Sequence, residues 1–223
     1  MQVSIIGAGG HAKVVYDALV RNGVQVLGFL DDDRALWGRR LFGVPITGPV
    51  RIITEMSTHA AIVAIGDNAA RKRIYIWLKE QRIPMINAIH PTAVLAATVG
   101  TGEGVAIFAN VVVNVDTLIG DNVILNTACT VDHDCSVGDH VHLGPGVHLC
   151  GEVAVGESTL LGVGAVAIPG IRIGAHVTVG AGAVVVNDLP DGVTACGVPA
   201  RILRRNRAMA KKPVSSEKEQ TNA

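Results

Sequence analysis

The second half of the chain repeats itself every six residues. Each sixth position from Ile119 to Val185 carries an aliphatic residue, twelve in succession. A second series, four places later from Val123 to Leu189, contains only small or apolar residues. A period of six matches neither the 3.6-residue turn of an α-helix nor the two-residue repeat of a flat strand. It predicts a parallel β-helix, in which three hexapeptides close one coil of about 18 residues.

The composition agrees with the narrow core of such a coil. Of 223 residues, 26 are glycine and only 3% are aromatic, although 49% are apolar. A β-helix takes one aliphatic side chain per hexapeptide, has no space for rings, and uses glycine at its turns. The repeat also continues backwards through Val99, Val105 and Val111, with a slip of two residues before Ile119. We therefore expect about five coils, beginning near His90.

The first 83 residues follow a different pattern, typical of a small α/β domain. Strands are predicted at Val3–Ile6, Val24–Leu30 and Ala60–Ile65, with helices at Lys13–Arg21 and about Ala69–Arg82. This order predicts a parallel sheet of the Rossmann type. The predicted fold class is therefore α/β plus all-β. The expected divisions are a Rossmann-like βαβ domain over 1–89, a β-helix over 90–203 and a flexible tail over 204–223.

The charge balance argues against several classes of partner. The 19 basic and 19 acidic residues cancel, which disfavours nucleic acid or an anionic membrane. The cancellation is uneven, because residues 84–200 hold ten acids and a single base, Arg172. No apolar stretch is long enough to span a bilayer, and the opening MQVSIIGAGG lacks the features of a signal peptide. We therefore expect a cytoplasmic protein with four reduced cysteines, Cys129, Cys135, Cys150 and Cys196.

A glycine-rich turn follows the first predicted strand. Gly7, Gly9 and Ala12 fit the G-x-G-x-x-G/A spacing, and Asp31 ends the next strand. Backbone amides at a helix N-terminus bind phosphate, and an acid at that strand end can bind a ribose hydroxyl. A complete dinucleotide site needs two such halves, so a single nucleoside diphosphate fits this short domain better than NAD. A tight turn that binds nothing is the alternative.

The repeat carries one histidine beside an acid at a turn. His133 lies two places after a core position, which puts it near a corner and outside the core, and Asp134 follows it. A neutral imidazole held by a carboxylate is a common general base. Gly151 stands one coil later, where its backbone N–H can stabilise an oxyanion forming over the base. These three residues are the predicted catalytic group.

Five motifs taken together resemble one family. They are GAGGHA (7–12), FLDD (29–32), AIGDN (64–68), ILNT…VDHD (124–134) and the closing GVPA (197–200). The repeat resembles that of acyltransferases that form trimers of left-handed β-helices and take acetyl from acetyl-CoA. The combination is similar to the nucleotide-amino-sugar N-acetyltransferases of bacterial glycan synthesis, which are related to sialic acid O-acetyltransferases. The likeness covers about residues 2–203 and implies a homotrimer with each acyl site between neighbouring subunits.

The resemblance also assigns roles by position. His133 matches the catalytic base, and Asp134 stands where the family often has glutamate. The acetyl-CoA site is matched by His142, Val163 and Ala181, and the nucleotide-sugar contacts are Gly9, Gly10, His11, Asp31, Asp32 and Gly66. The implied reaction is direct attack of a sugar amine, such as that of a 4-amino-4,6-dideoxy sugar, on the thioester, with no metal. Because the repeat holds a single base, we expect backbone amides to hold the CoA phosphates together with Arg201, Arg204 or Arg205.

Other functions stay open from the sequence. The acceptor can be a hydroxyl group, as in sialic acid O-acetylation. The chain can be a non-catalytic trimer that binds a nucleotide sugar, although a scaffold has no need of the His133–Asp134 pair. A zinc hydratase of the γ-class carbonic anhydrase type needs three histidine ligands. His140 and His176 lie two coils apart, but Ala181 stands where the third ligand is required.

Overall fold

The computed structural model describes residues 2–56 and 60–205. The three strands and two helices expected in the N-terminal domain are present, with small shifts at their ends. A short hairpin, β3–β4, was missed because Gly43 and Pro45 interrupt the apolar pattern there. The elements are β1 (Gln2–Ile6), α1 (Gly10–Arg21), β2 (Gln25–Leu30), a 3-10 turn (Arg34–Leu36), β3 (Arg40–Leu41), β4 (Val44–Gly48), a second 3-10 turn (Val50–Glu55), β5 (Ala60–Val63) and α2 (Asn68–Glu80).

The sheet of this domain brings the predicted nucleotide-binding residues to one edge. Its strand order is β3-β4-β2-β1-β5, and β1, β2, β4 and β5 run parallel. Helix α1 covers one side through Val15 and Leu19, and α2 covers the other through Tyr75 and Leu78. The carboxyl ends of the parallel strands therefore share an edge. In open parallel sheets this is the edge at which ligands bind.

The rest of the described chain winds into a parallel β-helix with three faces, each a sheet of short strands from successive coils. The first face contains Ala88–Ile89, Ala106–Ile107, Ile124–Leu125, His142–Leu143, Leu160–Leu161, Thr178–Val179, Val193–Cys196 and the antiparallel Arg201–Arg205. The second face contains Val94–Leu95, Val112–Val113, Thr130–Val131, His148–Leu149, Val166–Ala167 and Val184–Val185. The third face contains Gly100–Thr101, Leu118–Ile119, Ser136–Val137, Ala154–Val155 and Arg172–Ile173.

The coils keep one register from the start. Val112 pairs with Val94 and Leu118 with Gly100, the same 18-residue spacing as in later coils. The two-residue slip expected before Ile119 is therefore wrong. The valines that suggested it belong to the second apolar series, which Thr117 interrupts. Thr117 is fully buried, and its Oγ1 donates a hydrogen bond to the Asp132 carbonyl at 2.7 Å. A hydroxyl is tolerated at this core position because it has this partner.

The boundaries also differ from expectation. The first strand paired into the β-helix is Ala88–Ile89, and the second face has six strands, one more than the five coils expected. The last strand, Arg201–Arg205, runs past the expected start of the tail. Residues 206–223 lie outside the described residues. Among the residues that are described, no helix is long and apolar enough to cross a membrane.

The corners of the coils are built alike. Most contain one residue in the left-handed region, and the non-glycine residues there, between 110 and 176, have φ between 54° and 62°. Asparagine and aspartate enter this region more readily than most residues because their short polar side chains bond locally. Asp134, with φ 57°, is one of them. The residue before each of these positions, such as His133, therefore projects from the same point of its coil.

Helix α2 lies along the corner between the third and first faces. Its polar contacts with the β-helix recur about every four residues, so each helical turn meets one coil. This arrangement fixes the N-terminal domain against the first face. From the first coil upwards, the pairs are Lys79 with Glu103, Tyr75 with Asp121, Arg71 with His140, and Asn68 with Ser158.

Candidate active site

The glycine-rich turn connects β1 to α1. Gly9 is the N-cap of α1, and Gly10 is its first residue. The turn is held by Asp31, whose Oδ2 accepts a hydrogen bond from the Ala8 N–H at 2.8 Å. A Cβ added at Gly9 or Gly10 would meet nothing within 4 Å, so this surface is open. The first N–H groups of α1 have no partner within the helix and can bind an anionic group here.

Asp31 and Asp32 follow β2 directly and have different roles. Asp31 uses both carboxylate oxygens on backbone N–H groups, because its Oδ1 also accepts from Asp33 at 2.9 Å. Asp32 Oδ1 accepts from the Val50 N–H at 2.9 Å. Within the described part of the chain, Asp32 Oδ2 accepts no hydrogen bond. Asp31 therefore shapes the turn, whereas Asp32 keeps an acceptor for a ligand.

His11 and His142 meet where the N-terminal domain packs on the first face. Their ring centroids lie 6.1 Å apart, and burial lowers the pKa of each to about 4, so both are neutral. His142 Nδ1 donates to the Gly66 carbonyl at 3.2 Å, which leaves Nε2 to accept from Asn126 at 3.2 Å. His11 Nε2 is buried with no partner among the described residues. His142, expected beside acetyl-CoA, thus lies beside His11 and Gly66, two of the residues predicted to contact the nucleotide sugar.

Sequence reasoning missed Arg71, which fastens this junction. Arg71 is 1% exposed and donates to the carbonyls of Asn122 (3.1 Å), His140 (2.8 Å) and Gly66 (3.2 Å), and to Asn68 Oδ1 (2.9 Å). Burial lowers the pKa of its guanidinium to about 10, so it stays charged at neutral pH. A buried arginine is tolerated when its donors are satisfied. The available signal was an arginine on the apolar face of α2.

His133, Asp134 and Gly151 come together at the corner between the second and third faces. His133 Nδ1 donates to Asp134 Oδ2 at 2.8 Å, and this bond raises the pKa of His133 above its ordinary value. A Cβ added at Gly151 would lie 2.6 Å from His133 Cε1 and Nε2, so the ring rests directly on this glycine. The His133 side chain is 50% exposed. Its Nε2 edge is therefore available to a ligand above Gly151.

Asp132 and Asn114, which the sequence analysis also missed, hold the backbone of His133 in place. Asp132 Oδ1 accepts hydrogen bonds from the His133 N–H at 2.9 Å and from Asn114 Nδ2 at 2.8 Å. Asn114 lies 18 residues before Asp132, one coil below it. These bonds lower the pKa of Asp132, so it remains ionised. The paired polar residues at this spacing were visible in the sequence.

Two of the four residues expected to bind acetyl-CoA lie on another corner. Val163 and Ala181 occupy successive coils between the first and second faces, and Val163 is 57% exposed. Arg201 begins the final strand, where its guanidinium donates to the Ala200 carbonyl at 3.2 Å. These three residues are exposed, whereas His142 is half-buried at the domain junction. The structure therefore separates His142 from the other three.

One chain does not bring all the predicted residues together. The N-terminal domain packs on the first face and on the corner between the third and first faces. His133 lies on the corner between the second and third faces, which is opposite the first face of a triangular coil. The corner of Val163 lies one face away from that of His133. A site that uses all three groups needs residues from more than one copy of the chain.

Within residues 2–56 and 60–205, the remaining histidines and the cysteines form no cluster. His148 pairs with Thr130 at 2.8 Å, and His140 Nδ1 accepts from Asn122 at 2.9 Å. His176 lies 3.4 Å from Glu157 on the corner beside α2. No group of three histidine, cysteine, aspartate or glutamate side chains that could hold a metal ion occurs in residues 2–56 and 60–205. All four cysteines are free thiols.

Two family models match the chain. The PglD N-terminal domain matches residues 2–78, and the bacterial transferase hexapeptide (six repeats) matches residues 116–151. Among curated proteins, UDP-N-acetylbacillosamine N-acetyltransferase of Bacillus subtilis is 36% identical over 114 residues, which is 48% of this chain. The chain spans about half or less of the curated relatives it matches, 51% of that enzyme and 24% of a longer mimivirus protein.

Solved structures match over nearly the whole described chain. Perosamine N-acetyltransferase from Caulobacter crescentus, in complex with CoA and GDP-perosamine, is 47% identical with a TM-score of 0.87, covering 91% of this chain and 96% of that one. The acetyltransferase domain of PglB from Neisseria gonorrhoeae, in complex with acetyl coenzyme A, is 36% identical with a TM-score of 0.85, covering 91% and 98%. The Rossmann-like domain and left-handed β-helix predicted from the sequence are thereby confirmed.

Proposed function

The chain belongs to the family of hexapeptide-repeat acyltransferases that includes the nucleotide-amino-sugar N-acetyltransferases, and from this membership we propose that it acetylates a nucleotide-linked amino sugar. The donor is acetyl-CoA, and the acceptor is the free amine, such as that of a 4-amino-4,6-dideoxy sugar. The observation that carries the proposal is the His133 imidazole, bonded at Nδ1 and open at Nε2, lying over Gly151. A structural trimer has no need of this arrangement.

The reaction proceeds by direct transfer. The amine nitrogen attacks the thioester carbonyl carbon, and the carbon–sulfur bond breaks as the carbon–nitrogen bond forms. His133 Nε2 takes the proton that the amine loses and returns it to the CoA sulfur. Asp134 fixes the tautomer that leaves Nε2 unprotonated and stabilises the imidazolium. The Gly151 N–H donates to no acceptor within the described residues, so it can stabilise the oxyanion.

We place this site between copies in a homotrimer. The outward residues of the second face are apolar on most coils, including Val112, Val166 and Val184. If this face packs around a threefold axis, the Val163 corner of one copy lies beside the His133 corner of the next. Acetyl-CoA then lies between the two corners. Burial of an apolar face of this kind is a common basis for closed oligomers.

The catalytic part of the proposal is tested by replacing His133. With acetyl-CoA and a panel of nucleotide 4-amino sugars, His133→Ala should lower kcat by at least about 10²-fold, measured as thiol release. His176→Ala, at a corner on another edge of the β-helix, is the control and should retain turnover. Wild-type turnover by His133→Ala would exclude the general base. Acetyl products that are lost in mild base would be esters and would assign O-acetylation instead.

The trimer is tested by one charge on the second face. Val112→Glu should give monomers by light scattering and lose activity with the trimer, because a buried unpaired carboxylate opposes packing. Leu118→Glu, on the next strand of the third face, is the matched control because Leu118 is already 62% exposed. A fully active monomer would contradict the shared site.

The CoA phosphates are assigned to the C-terminal arginines. Arg201, Arg204 and Arg205 lie in the exposed final strand. Replacing all three with alanine should raise the KM for acetyl-CoA by about tenfold or more, since charge-assisted bonds to phosphate are lost. The KM for the sugar should be unaffected. An unchanged KM for acetyl-CoA would refute the assignment.

A further inference from the structure

Thr117 lies directly beneath the corner that carries His133. This corner connects the second face to the third, and it begins at Asp132 and ends at Cys135. The Thr117 side chain occupies a core position one coil below and is fully buried. Its Oγ1 donates a hydrogen bond to the Asp132 carbonyl at 2.7 Å and accepts one from the Cys135 N–H at 3.2 Å. One hydroxyl therefore bridges the first residue of the corner and the last.

The two backbone groups that Thr117 binds depend on it. Among the residues that the structure describes, neither the Asp132 carbonyl nor the Cys135 N–H makes another hydrogen bond. His133 and Asp134 are the two residues between these groups, and both side chains are at least half exposed. The backbone of the corner, more than side-chain packing, therefore sets the distance between the imidazole ring and the carboxylate.

The fold does not require a hydroxyl at this place. The equivalent residues on the same edge of the β-helix are Val99, one coil below Thr117, and Val153, two coils above it. In the part of the chain that the structure describes, no side chain bridges the corners that lie above these two valines. Valine therefore fits this position of a coil, and a buried threonine takes its place where the corner carries His133.

The next coil repeats the pattern with a thiol. Cys135 stands one coil above Thr117, and its Sγ donates a hydrogen bond to the Cys150 carbonyl at 3.2 Å. Cys150 begins the corner of Gly151, the residue whose N–H faces the proposed oxyanion. Two polar side chains in the core of this edge thus lie under the two corners of the proposed catalytic group.

We propose that Thr117 is a positioning residue for the acyl transfer, because its hydroxyl holds the corner in the shape that keeps the His133 ring bonded to Asp134. The inference rests on the proposed function. Without the hydroxyl both ends of the corner are released, and a displaced imidazole transfers a proton less effectively. The hydrogen bond from the ring to Asp134 also weakens, so the pKa of His133 should fall towards its ordinary value.

The test is Thr117→Val, because valine has the shape of threonine and stands at this place in other coils. It should lower kcat by about tenfold or more and leave the KM for both substrates unchanged. Thr159→Val is the matched control. Thr159 is equally buried and bridges a corner beside α2, where its Oγ1 donates to the Gly174 carbonyl at 2.7 Å and accepts from the Val177 N–H at 3.0 Å. Both variants should have lower melting temperatures, whereas only Thr117→Val should lose kcat.

A second measurement does not depend on turnover. The pKa of His133 can be followed by NMR titration of the full-length protein with labelled histidine. It should fall in Thr117→Val and stay at the wild-type value in Thr159→Val. The charged side chains around the ring, which neither change removes, are Asp132, Asp134 and Glu152. Thr117→Ser, which keeps the hydroxyl, should retain both the kcat and the pKa of the wild type.

The outcomes separate this proposal from the function it rests on. Equal losses of kcat in Thr117→Val and Thr159→Val would overturn it, as would an unchanged His133 pKa in Thr117→Val or a Thr117→Ser variant that behaves like valine. A lower His133 pKa without acetylation of any amino sugar would support the positioning role and refute the proposed reaction. If Thr117→Val does not fold, Thr117→Cys, with a weaker donor, replaces it. Partial losses of kcat and pKa would then support the proposal, and wild-type values of both would overturn it.

Discussion

A single methyl group at position 151 should test how the histidine is placed. The Cβ of Gly151→Ala would lie 2.6 Å from His133 Cε1 and Nε2. Ordinary carbon contacts are about 3.5–4.0 Å, so the ring has to move by about 1 Å. A displacement of this size at a reacting group costs about 10²-fold in rate, or about 2.7 kcal/mol of transition-state stabilisation. We therefore expect kcat to fall about a hundredfold.

The same change should leave folding almost unaffected. Gly151 does not have a positive φ, so alanine is allowed there, and the half-exposed His133 ring can swing outwards. The free energy of unfolding should change by less than about 1 kcal/mol. The variant should therefore have a wild-type melting curve, a wild-type KM for the nucleotide sugar and a reduced kcat.

A double-mutant cycle separates this mechanism from a general disturbance of the coil. In the His133→Ala background there is no ring to displace, so adding Gly151→Ala should cost no further activity. The two single changes are thus strongly non-additive. If Gly151→Ala keeps wild-type kcat, or lowers activity by the same factor in both backgrounds, the contact between ring and glycine does not position the base.

Three further changes test titratable groups at the His133 corner and at the junction between the N-terminal domain and the β-helix. Asp134→Asn removes the hydrogen bond that raises the pKa of His133. In the pH profile of kcat/KM, the acidic limb should therefore move to lower pH, and the plateau should fall. An acidic limb that stays in place would contradict this. Arg71→Met leaves buried carbonyls without a donor, so it should lower the free energy of unfolding by about 3 kcal/mol, measured by denaturant titration. An unchanged free energy of unfolding would show that Arg71 does not stabilise the junction. The pKa of His142 is about 4 in the folded state, so the unfolded state binds the proton first as the pH falls below 6.5. The free energy of unfolding should therefore decrease by up to about 1.4 kcal/mol per pH unit over this range. His142→Gln should flatten that loss, and an equally steep curve would refute it.

The sequence was most informative where one residue type repeats at a fixed interval. Two apolar series predicted the β-helix, and two glycines and a strand-end acid predicted the nucleotide-binding edge. The error came at Thr117, where a buried hydroxyl takes the place of valine because a carbonyl one coil away accepts its hydrogen bond. A search for periodic apolar residues does not detect a buried polar residue whose hydrogen-bond partner comes from a neighbouring coil.

The site residues that were missed depend on tertiary placement. Arg71 was indistinguishable from other helical arginines until α2 was docked, because its acceptors are carbonyls of residues 51 and 69 positions later. The reach of Asp134 also depends on placement. It stands where the resemblance implies the longer glutamate, and its carboxylate lies 2.8 Å from His133 Nδ1. The sequence alone did not reveal that the shorter side chain reaches the ring.

The docking of α2 limits how the β-helix can change in length. Four helical residues rise about 6.0 Å, and adjacent strands lie about 4.8 Å apart, so helical turns and coils stay nearly in step over four contacts. Removing or inserting a coil between Glu103 and Ser158 would put the contacts with α2 out of step at every later coil. Coils added beyond Leu160 meet nothing from α2. Family members and designed variants should therefore gain or lose repeats at the C-terminal end, leaving the spacing between Gly66 and His142 unchanged.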